Sequence, residues 1–430
     1  MTPELRVLLD GRPVGTLARL TNGRLRFEYD AAYQDERDPT PLSLSMPVQE
    51  RSHGHATVSP WLWGLLPDDV DVLRRWAREF GVSSVNPFSL LGTPIGEDCA
   101  GGVQFVPPNR IESLMADTGS VEWLTAADVE VRLRLLRADA TAWLGDERVE
   151  RSRAFVGQFS LAGRQRKTAL LFDDDRWGVP SGRIPTTHIL KPPIEGFRDQ
   201  ELTEHLCLDA ASRVGLIAAE SRVACFGAES AVVITRYDRL RSDGRVGRVH
   251  QEDLCQALSV APEHKYQSEG GPGPAEIARL IRAAMPAEAA ETNVRRFADA
   301  LIWNWIIAGT DAHAKNYSLL LAGRQVRLAP LYDLTSALPY ENERHLRLAM
   351  KVGDGYELVN YRNPWPKTAS RMGLDEEWLT ARVAELCERA PQAFTAAAEE
   401  QEIVTLNRPS TRRLVDLVEN RAARCAKLMG

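Results

Sequence analysis

Paired cysteines, long apolar runs and an excess of positive charge are all missing from this chain of 430 residues. The six cysteines, Cys99, Cys207, Cys225, Cys255, Cys387 and Cys425, form no CxxC or CxxH pair. Their scatter argues against a zinc site and a disulfide framework, and they read as small buried apolar residues. No apolar run approaches the roughly 20 residues that cross a bilayer, and no charged-then-apolar leader opens the chain. A cytoplasmic protein with no membrane partner is therefore expected. A formal net charge of −6 gives no global attraction to nucleic acid, so any DNA contact should be lent by a partner. Internal repeats and low-complexity tracts are absent as well. The 44% hydrophobic content is enough for the cores of two or three domains.

What the chain does carry is concentrated at Asn304-Trp305-Ile306-Ile307-Ala308-Gly309-Thr310-Asp311-Ala312-His313-Ala314-Lys315-Asn316 and at Leu331-Tyr332-Asp333. Phosphoryl transfer needs a carboxylate to orient and deprotonate the acceptor hydroxyl, and hard oxygen ligands for Mg²⁺. Asp311, Asn316 and Asp333 have the side chains for that set. The five-residue step from Asp311 to Asn316 equals the Asp-to-Asn spacing of the protein-kinase catalytic loop. The apolar run Ala300-Leu301-Ile302-Trp303 would anchor such a loop on a buried helix. Turn and cap duty between a helix and a strand is the competing use of the same Asp and Asn.

A second segment, Ser160 to Phe172, reads as a polar turn with one glycine entering a strand, and Thr186 to Pro193 as another strand that ends on Lys191. A loop over the phosphates followed by a strand lysine is the order of a kinase small lobe. The loop has neither the GxGxxG nor the GxxxxGK[ST] pattern, so glycine content does not demand backbone cradling. Lys191 taken alone reads as a solvated strand-end lysine.

Together these segments resemble the HipA family of serine/threonine protein kinases, the toxin halves of bacterial toxin–antitoxin pairs. The resemblance is spread along the chain, through Leu9 to Gly15, Pro41 to Pro47, Gly64 to Asp68, Gly96 to Gln104, Ile234 to Arg239 and Gln251 to Leu258. It implies ATP and Mg²⁺ as cofactors. Asp311 becomes the catalytic base, His313 a cation or donor beside the moving phosphoryl group, Asn316 and Asp333 the Mg²⁺ ligands, and Lys191 the phosphate lysine. Ser160, Leu161, Ala162 and Gly163 become the loop over the nucleotide, with Ser160 autophosphorylated. Thr235, Arg236 and Tyr237 become a hinge that meets adenine through backbone groups. Glu204, in a helix from Glu201 to Arg213, either pairs with Lys191 or lies on a solvated face. The implied partners are a HipB-like helix-turn-helix antitoxin, through which alone DNA is met, and a protein substrate such as a translation factor or tRNA synthetase. Family members usually have Glu at the place of Thr235, and Ala and Glu at those of Arg164 and Arg166. The two arginines add charge beside the phosphates and bear on loop docking. A catalytically silent pseudokinase acting as corepressor and a small-molecule kinase, whose catalytic loop can also place His near the Asp, stay open as alternatives.

The expected architecture is α+β: a two-lobed protein-kinase-like fold with a mixed α/β N-terminal subdomain and a mostly helical C-terminal lobe. The subdomain spans 1–108, with strands at Leu5 to Leu9 and Leu25 to Tyr29 and turns at Asp10-Gly11 and Asn22-Gly23. A connecting helical segment, capped by Thr125, fills 109–150, the small lobe 151–238 and the helical lobe 239–430. Helices are expected at Pro274 to Ala284, Ala290 to Ile307, Glu376 to Arg389 and Thr411 to Leu428, and Glu269 to Pro274 as a mobile surface loop. Tryptophans such as Trp61, Trp303, Trp305 and Trp365 read as core anchors, because no basic stripe interleaves with them. His53 and His55 form no metal set, and Gln251-Glu252-Asp253 reads as a packing and capping element.

Overall fold

The computed structural model describes residues 3–116, 118–137, 161–163, 165–242, 244–359 and 362–429. The N-terminal strands follow the alternation in the sequence: β1 (Glu4–Leu9), β2 (Arg12–Arg19), β3 (Leu25–Tyr29), β4 (Ser52–His53) and β5 (Val103–Val106). They form an antiparallel sheet in the order β4-β3-β2-β1-β5. The β1–β2 turn puts Asp10 and Gly11 at φ of 47° and 77°, the two positive values that a type I′ hairpin turn requires. Val7, Leu17, Phe27 and Tyr29 pack this sheet against the helix His55–Leu65, whose Trp61 is fully buried. His53 stacks on Phe27, and His55 Nδ1 accepts from the Leu25 N–H at 3.2 Å. Both histidines are structural.

The second sheet contains β6 (Val121–Leu124), β7 (Thr168–Asp173), β8 (Arg176–Pro180), β9 (His188–Lys191), β10 (Ser221–Phe226) and β11 (Glu229–Thr235). Its order is β10-β11-β9-β7-β8-β6. The stretch expected to be a helical connector therefore does more than connect. β6 is an edge strand of this sheet, and the helix Ala126–Arg137 seals it with Val129, Leu133 and Leu136. The sequence signal for β6 was short and half-exposed, which is why it was missed. Thr125 caps that helix by accepting from the Asp128 N–H at 3.2 Å.

Helices dominate the rest: Pro274–Ala284, Ala287–Ile307, Trp365–Met372, Glu376–Ala398 and Pro409–Lys427 enclose the largest core, with Trp303, Trp305 and Trp365 fully buried. Beneath them lies a small sheet of His250–Asp253, Ser318–Ala322 and Gln325–Leu328. The Glu269 to Pro274 loop is bolted down rather than loose. The Gly271 N–H donates to the Tyr266 carbonyl at 2.9 Å, the Gly273 N–H to Glu276 at 3.1 Å, and the neighbouring Gln267 Oε1 accepts from the Lys351 N–H at 2.7 Å. The six cysteines are free thiols, and only Cys225 is exposed. Among the described residues no helix is long and apolar enough to cross a membrane.

Two buried polar clusters join the N-terminal sheet to the remainder. Asp98 lies among Arg236, Arg239 and Arg248, and the Gly101 N–H donates to Asp238 at 2.7 Å. Glu252 meets the Leu44 N–H at 2.7 Å and the Ser43 hydroxyl at 2.5 Å. Burial pushes the Glu252 carboxyl up to about 8, against the pull of those hydrogen bonds. The folded state thus holds a proton that the unfolded chain releases, so this contribution is full below a free glutamate's pKa of about 4.3 and is lost as the pH rises through about 8. The melting temperature should fall between pH 6 and pH 9, and Glu252→Gln, which mimics the protonated acid, should flatten that fall. An unchanged slope in the variant would assign it to other groups.

Candidate active site

The helix Ala287–Ile307 ends abruptly. Ala308 is left-handed (φ 56°), and the Gly309 N–H donates to the Asn304 carbonyl at 2.7 Å. A Cβ on Gly309 would lie 2.0 Å from Asn304 Oδ1, so any larger residue would have to displace the buried Asn304 amide. The chain then turns back on itself. The Asp311 carbonyl accepts from the His313 N–H at 2.8 Å and from Asn316 Nδ2 at 2.8 Å. With its amide nitrogen engaged, Asn316 has its Oδ1 as the atom left for a ligand, and the residue lines the same cleft as Asp333.

Asp311 is 61% exposed and accepts a hydrogen bond from the Tyr266 hydroxyl. His313 Nε2 is 3.9 Å from its Oδ1. Burial pushes the imidazole down to about 4, with Lys265 and Lys315 adding to the effect and Asp311 opposing it. This environment disfavours the imidazolium, so it weighs toward the donor among the two expected roles for His313.

Lys191 closes β9 and reaches two carboxylates, Glu204 Oε1 at 2.6 Å and Asp333 Oδ1. Glu204, on the helix Gln200–Arg213, is buried, so the solvated-face alternative is excluded. Burial alone would lower the Lys191 ammonium, but Asp333 and Glu204 more than offset it and hold its pKa above the ordinary lysine value. The same attraction, from Lys191 and then Lys167, outweighs burial at Asp333 and keeps its carboxyl well below the usual range. Asp333 is held at a left-handed φ of 52°. The preceding Leu331 is tied to the small lobe by 2.8 Å bonds to Ile217 and Ala219.

Four further residues enter the cleft that sequence reasoning did not assign. Lys167 Nζ donates to the Ala162 carbonyl at 2.6 Å, and burial pushes it down to about 8. Asp68, from the N-terminal module, accepts from Lys265 and Lys315, each at 2.6 Å, and its N–H reaches the Gly163 carbonyl at 3.3 Å. Burial would raise Asp68, yet the two ammonium groups hold it below the ordinary aspartate value. Asp68 closed a recognisable block and Lys167 lay inside the loop, but a single sequence carries no signal that pairs positions so far apart.

The cleft as a whole measures about 880 Å³ with its open mouth included, and its apolar end is lined by Ala100, Leu161 and Ile189 on one side and Ile234, Tyr237 and Tyr332 on the other. The expected hinge residues Thr235, Arg236 and Tyr237 all line the cleft, but two of their backbone N–H groups are already engaged. The Thr235 N–H is engaged with Glu220 and the Arg236 N–H with Thr187, both at 2.9 Å. The Arg236 guanidinium turns away to Asp238, Thr186 and the Cys99 carbonyl. Ser160 and Arg164 lie outside the described residues. Arg166 donates to the Leu136 carbonyl at 3.2 Å, at the end of the Ala126–Arg137 helix.

Residues 159–394 match the model of the HipA-like C-terminal domain, and residues 5–106 that of the HipA N-terminal domain. The chain belongs to the HipA family of serine/threonine protein kinases. Over 424 residues it is 33% identical to a Sinorhizobium fredii protein named "Putative kinase Y4mE", covering 97% of each chain. It is 28% identical over 365 residues to the serine/threonine-protein kinase toxin HipA of Shewanella oneidensis, covering 82% of this chain and 80% of that one. The HipA fold is seen in a solved complex of Shewanella oneidensis HipA with HipB and operator DNA. That structure superposes with a TM-score of 0.81 at 24% identity, covering 98% of this chain and 97% of the other. In this HipA-family kinase the two matched domains meet at Asp68, which carries the N-terminal module into the cleft.

Proposed function

We propose that this HipA-family kinase transfers the γ-phosphoryl group of ATP to a serine or threonine hydroxyl of a host protein, with Asp311 as base. The observation that carries the reading is the convergence of Lys191, Glu204, Asp333, Asn316 and Asp311 on one cleft. The acceptor proton passes to the Asp311 carboxylate as the acceptor oxygen bonds to the γ-phosphorus, and the bond to the β-phosphate oxygen breaks to release ADP. Lys191 and Lys167 hold the phosphates, and His313 donates to them. Adenine lies between Leu161 and Ile189 above and Ile234 and Tyr332 below.

Asn316 and Asp333 would hold Mg²⁺. Two side-chain oxygens suit an ion that takes its other ligands from phosphates and water. Among the described residues no group of three His, Cys, Asp or Glu side chains is placed to hold a metal by itself. When bound, the ion would neutralise the charge that develops on the phosphates.

Self-phosphorylation at Ser160 would place about −1.5 to −2 charges beside the loop where the ATP phosphates dock. Incubation with Mg²⁺-ATP and a host lysate, read by mass spectrometry, tests both parts of the reading. New phosphoserine on a host protein and on Ser160 is expected, with weaker ATP binding by the Ser160-phosphorylated form. No transfer to any protein would leave the pseudokinase, and transfer to a small molecule alone the small-molecule kinase.

A HipB-like helix-turn-helix partner would supply the DNA contacts, in keeping with the net charge of −6. In gel shifts the kinase alone should bind operator DNA without sequence preference, whereas the complex should bind specifically and with strong salt dependence. Specific binding by the kinase alone at physiological salt contradicts this.

A further inference from the structure

Asp311 is more open to solvent than Asp333, the other carboxylate at the transfer site. Its carboxylate is 61% exposed, and at 3.9 Å His313 is too far away to fix it by a hydrogen bond. A base that rotates freely serves poorly, because one oxygen must face the acceptor hydroxyl when the phosphoryl group moves. The side chain that does fix it is Tyr266, whose hydroxyl donates to Asp311 Oδ1.

Tyr266 is itself firmly held. Its ring stands edge-on against His313, with centroids 5.0 Å apart at 89°. Its carbonyl accepts from the Glu269 and Gly271 N–H groups at 3.0 and 2.9 Å. The Lys265 carbonyl accepts from the Ala314 N–H at 3.3 Å, stitching the Tyr266 segment to the turn that carries Asp311. Lys265 Nζ is in turn anchored on Asp68 at 2.6 Å, and Lys315, one residue before Asn316, on the other oxygen of the same carboxylate.

We infer that Tyr266 is a positioning residue of the transfer reaction: its hydroxyl fixes one Asp311 oxygen so that the other faces the acceptor, and the Lys265–Asp68 contact holds Tyr266 in place. The inference rests on Asp311 being the base. A hydrogen bond to an ionised carboxylate contributes about 1.5–3 kcal/mol, which as lost orientation corresponds to about a ten- to hundredfold fall in rate. The opposite arrangement, in which the tyrosine hydroxyl occupies the acceptor's place and must leave before reaction, requires a mobile Tyr266. The bonds on either side of it argue against that.

The test compares wild type, Tyr266→Phe, Asp311→Asn and the double variant, all full-length, by label transfer from γ-labelled ATP to the protein itself and to myelin basic protein. Phe keeps the ring and its contact with His313, so the fold is retained. Y266F should lower kcat about ten- to hundredfold with the KM for ATP unchanged, and should have no further effect in the D311N background. A wild-type or raised kcat in Y266F overturns the inference, the raised rate by putting the hydroxyl in the acceptor's place. An equal loss in both backgrounds overturns it too, since it makes the effect independent of Asp311. Full activity of D311N alone removes the base assignment and this inference with it, a different result from an inactive D311N beside a fully active Y266F.

Discussion

Replacing Asp311 by Asn should leave ATP bound and slow phosphoryl transfer by about 10²- to 10⁴-fold. The substitution keeps the shape of the side chain, and the backbone carbonyl that ties His313 and Asn316 together is untouched. An amide oxygen still accepts from Tyr266. What disappears is the capacity to take the acceptor's proton. Calorimetry should therefore show unchanged Mg²⁺-ATP binding while label transfer collapses, and substantial retained transfer would sink the assignment. Asp333→Asn should behave in the opposite way. It removes a hard anionic ligand, so binding should weaken in the presence of Mg²⁺ and change little without it.

Lys191→Met is expected to damage both nucleotide binding and stability. Lys191 and Glu204 are almost wholly shielded from water, at 4% and 2% side-chain exposure, so removing the ammonium strands a buried carboxylate. Breaking one partner of such a pair costs about 3–5 kcal/mol. The midpoint of urea unfolding should drop accordingly, with ATP affinity lost as well. Adding Glu204→Gln should recover most of the stability and none of the affinity, because the stranded charge is gone while the phosphates still lack their cation. A single variant as stable as wild type would mean that Lys167, nearby in the same cleft, has taken over the carboxylates.

The parts of the fold that were legible in advance are those with local causes. Periodic apolar spacing gave the helix Pro274–Ala284 to the residue and Ala287–Ile307 and Pro409–Lys427 to within three, and Asp10-Gly11 announced its hairpin, but the helix Glu376–Ala398 was expected to stop at Arg389, short of its internal Pro391. The Lys191–Glu204 pair was foreseen as one of two outcomes, and burial decides it. Asp68, Lys167, Lys265 and Tyr266 were not assigned because their roles depend on which segments touch, and Asp68 is 197 positions away from the lysine it holds. The lowered basicity of His313 was hidden for the same reason, since it follows from burial and neighbouring ammonium groups. β6 escaped because a four-residue edge strand has too little alternation to outweigh the helical pattern beside it.

The cluster around Asp98 sets how freely the joint between the two modules can change. Arg236, Arg239 and Arg248 all pair with Asp98, and Arg236 and Arg239 pair with Asp238 as well, so none of the five charges has bulk water to fall back on. Substituting any one of them leaves its partners buried and short of a counter-charge, which costs far more than losing a surface pair. The joint should therefore tolerate substitution much less than the surfaces of the two modules do.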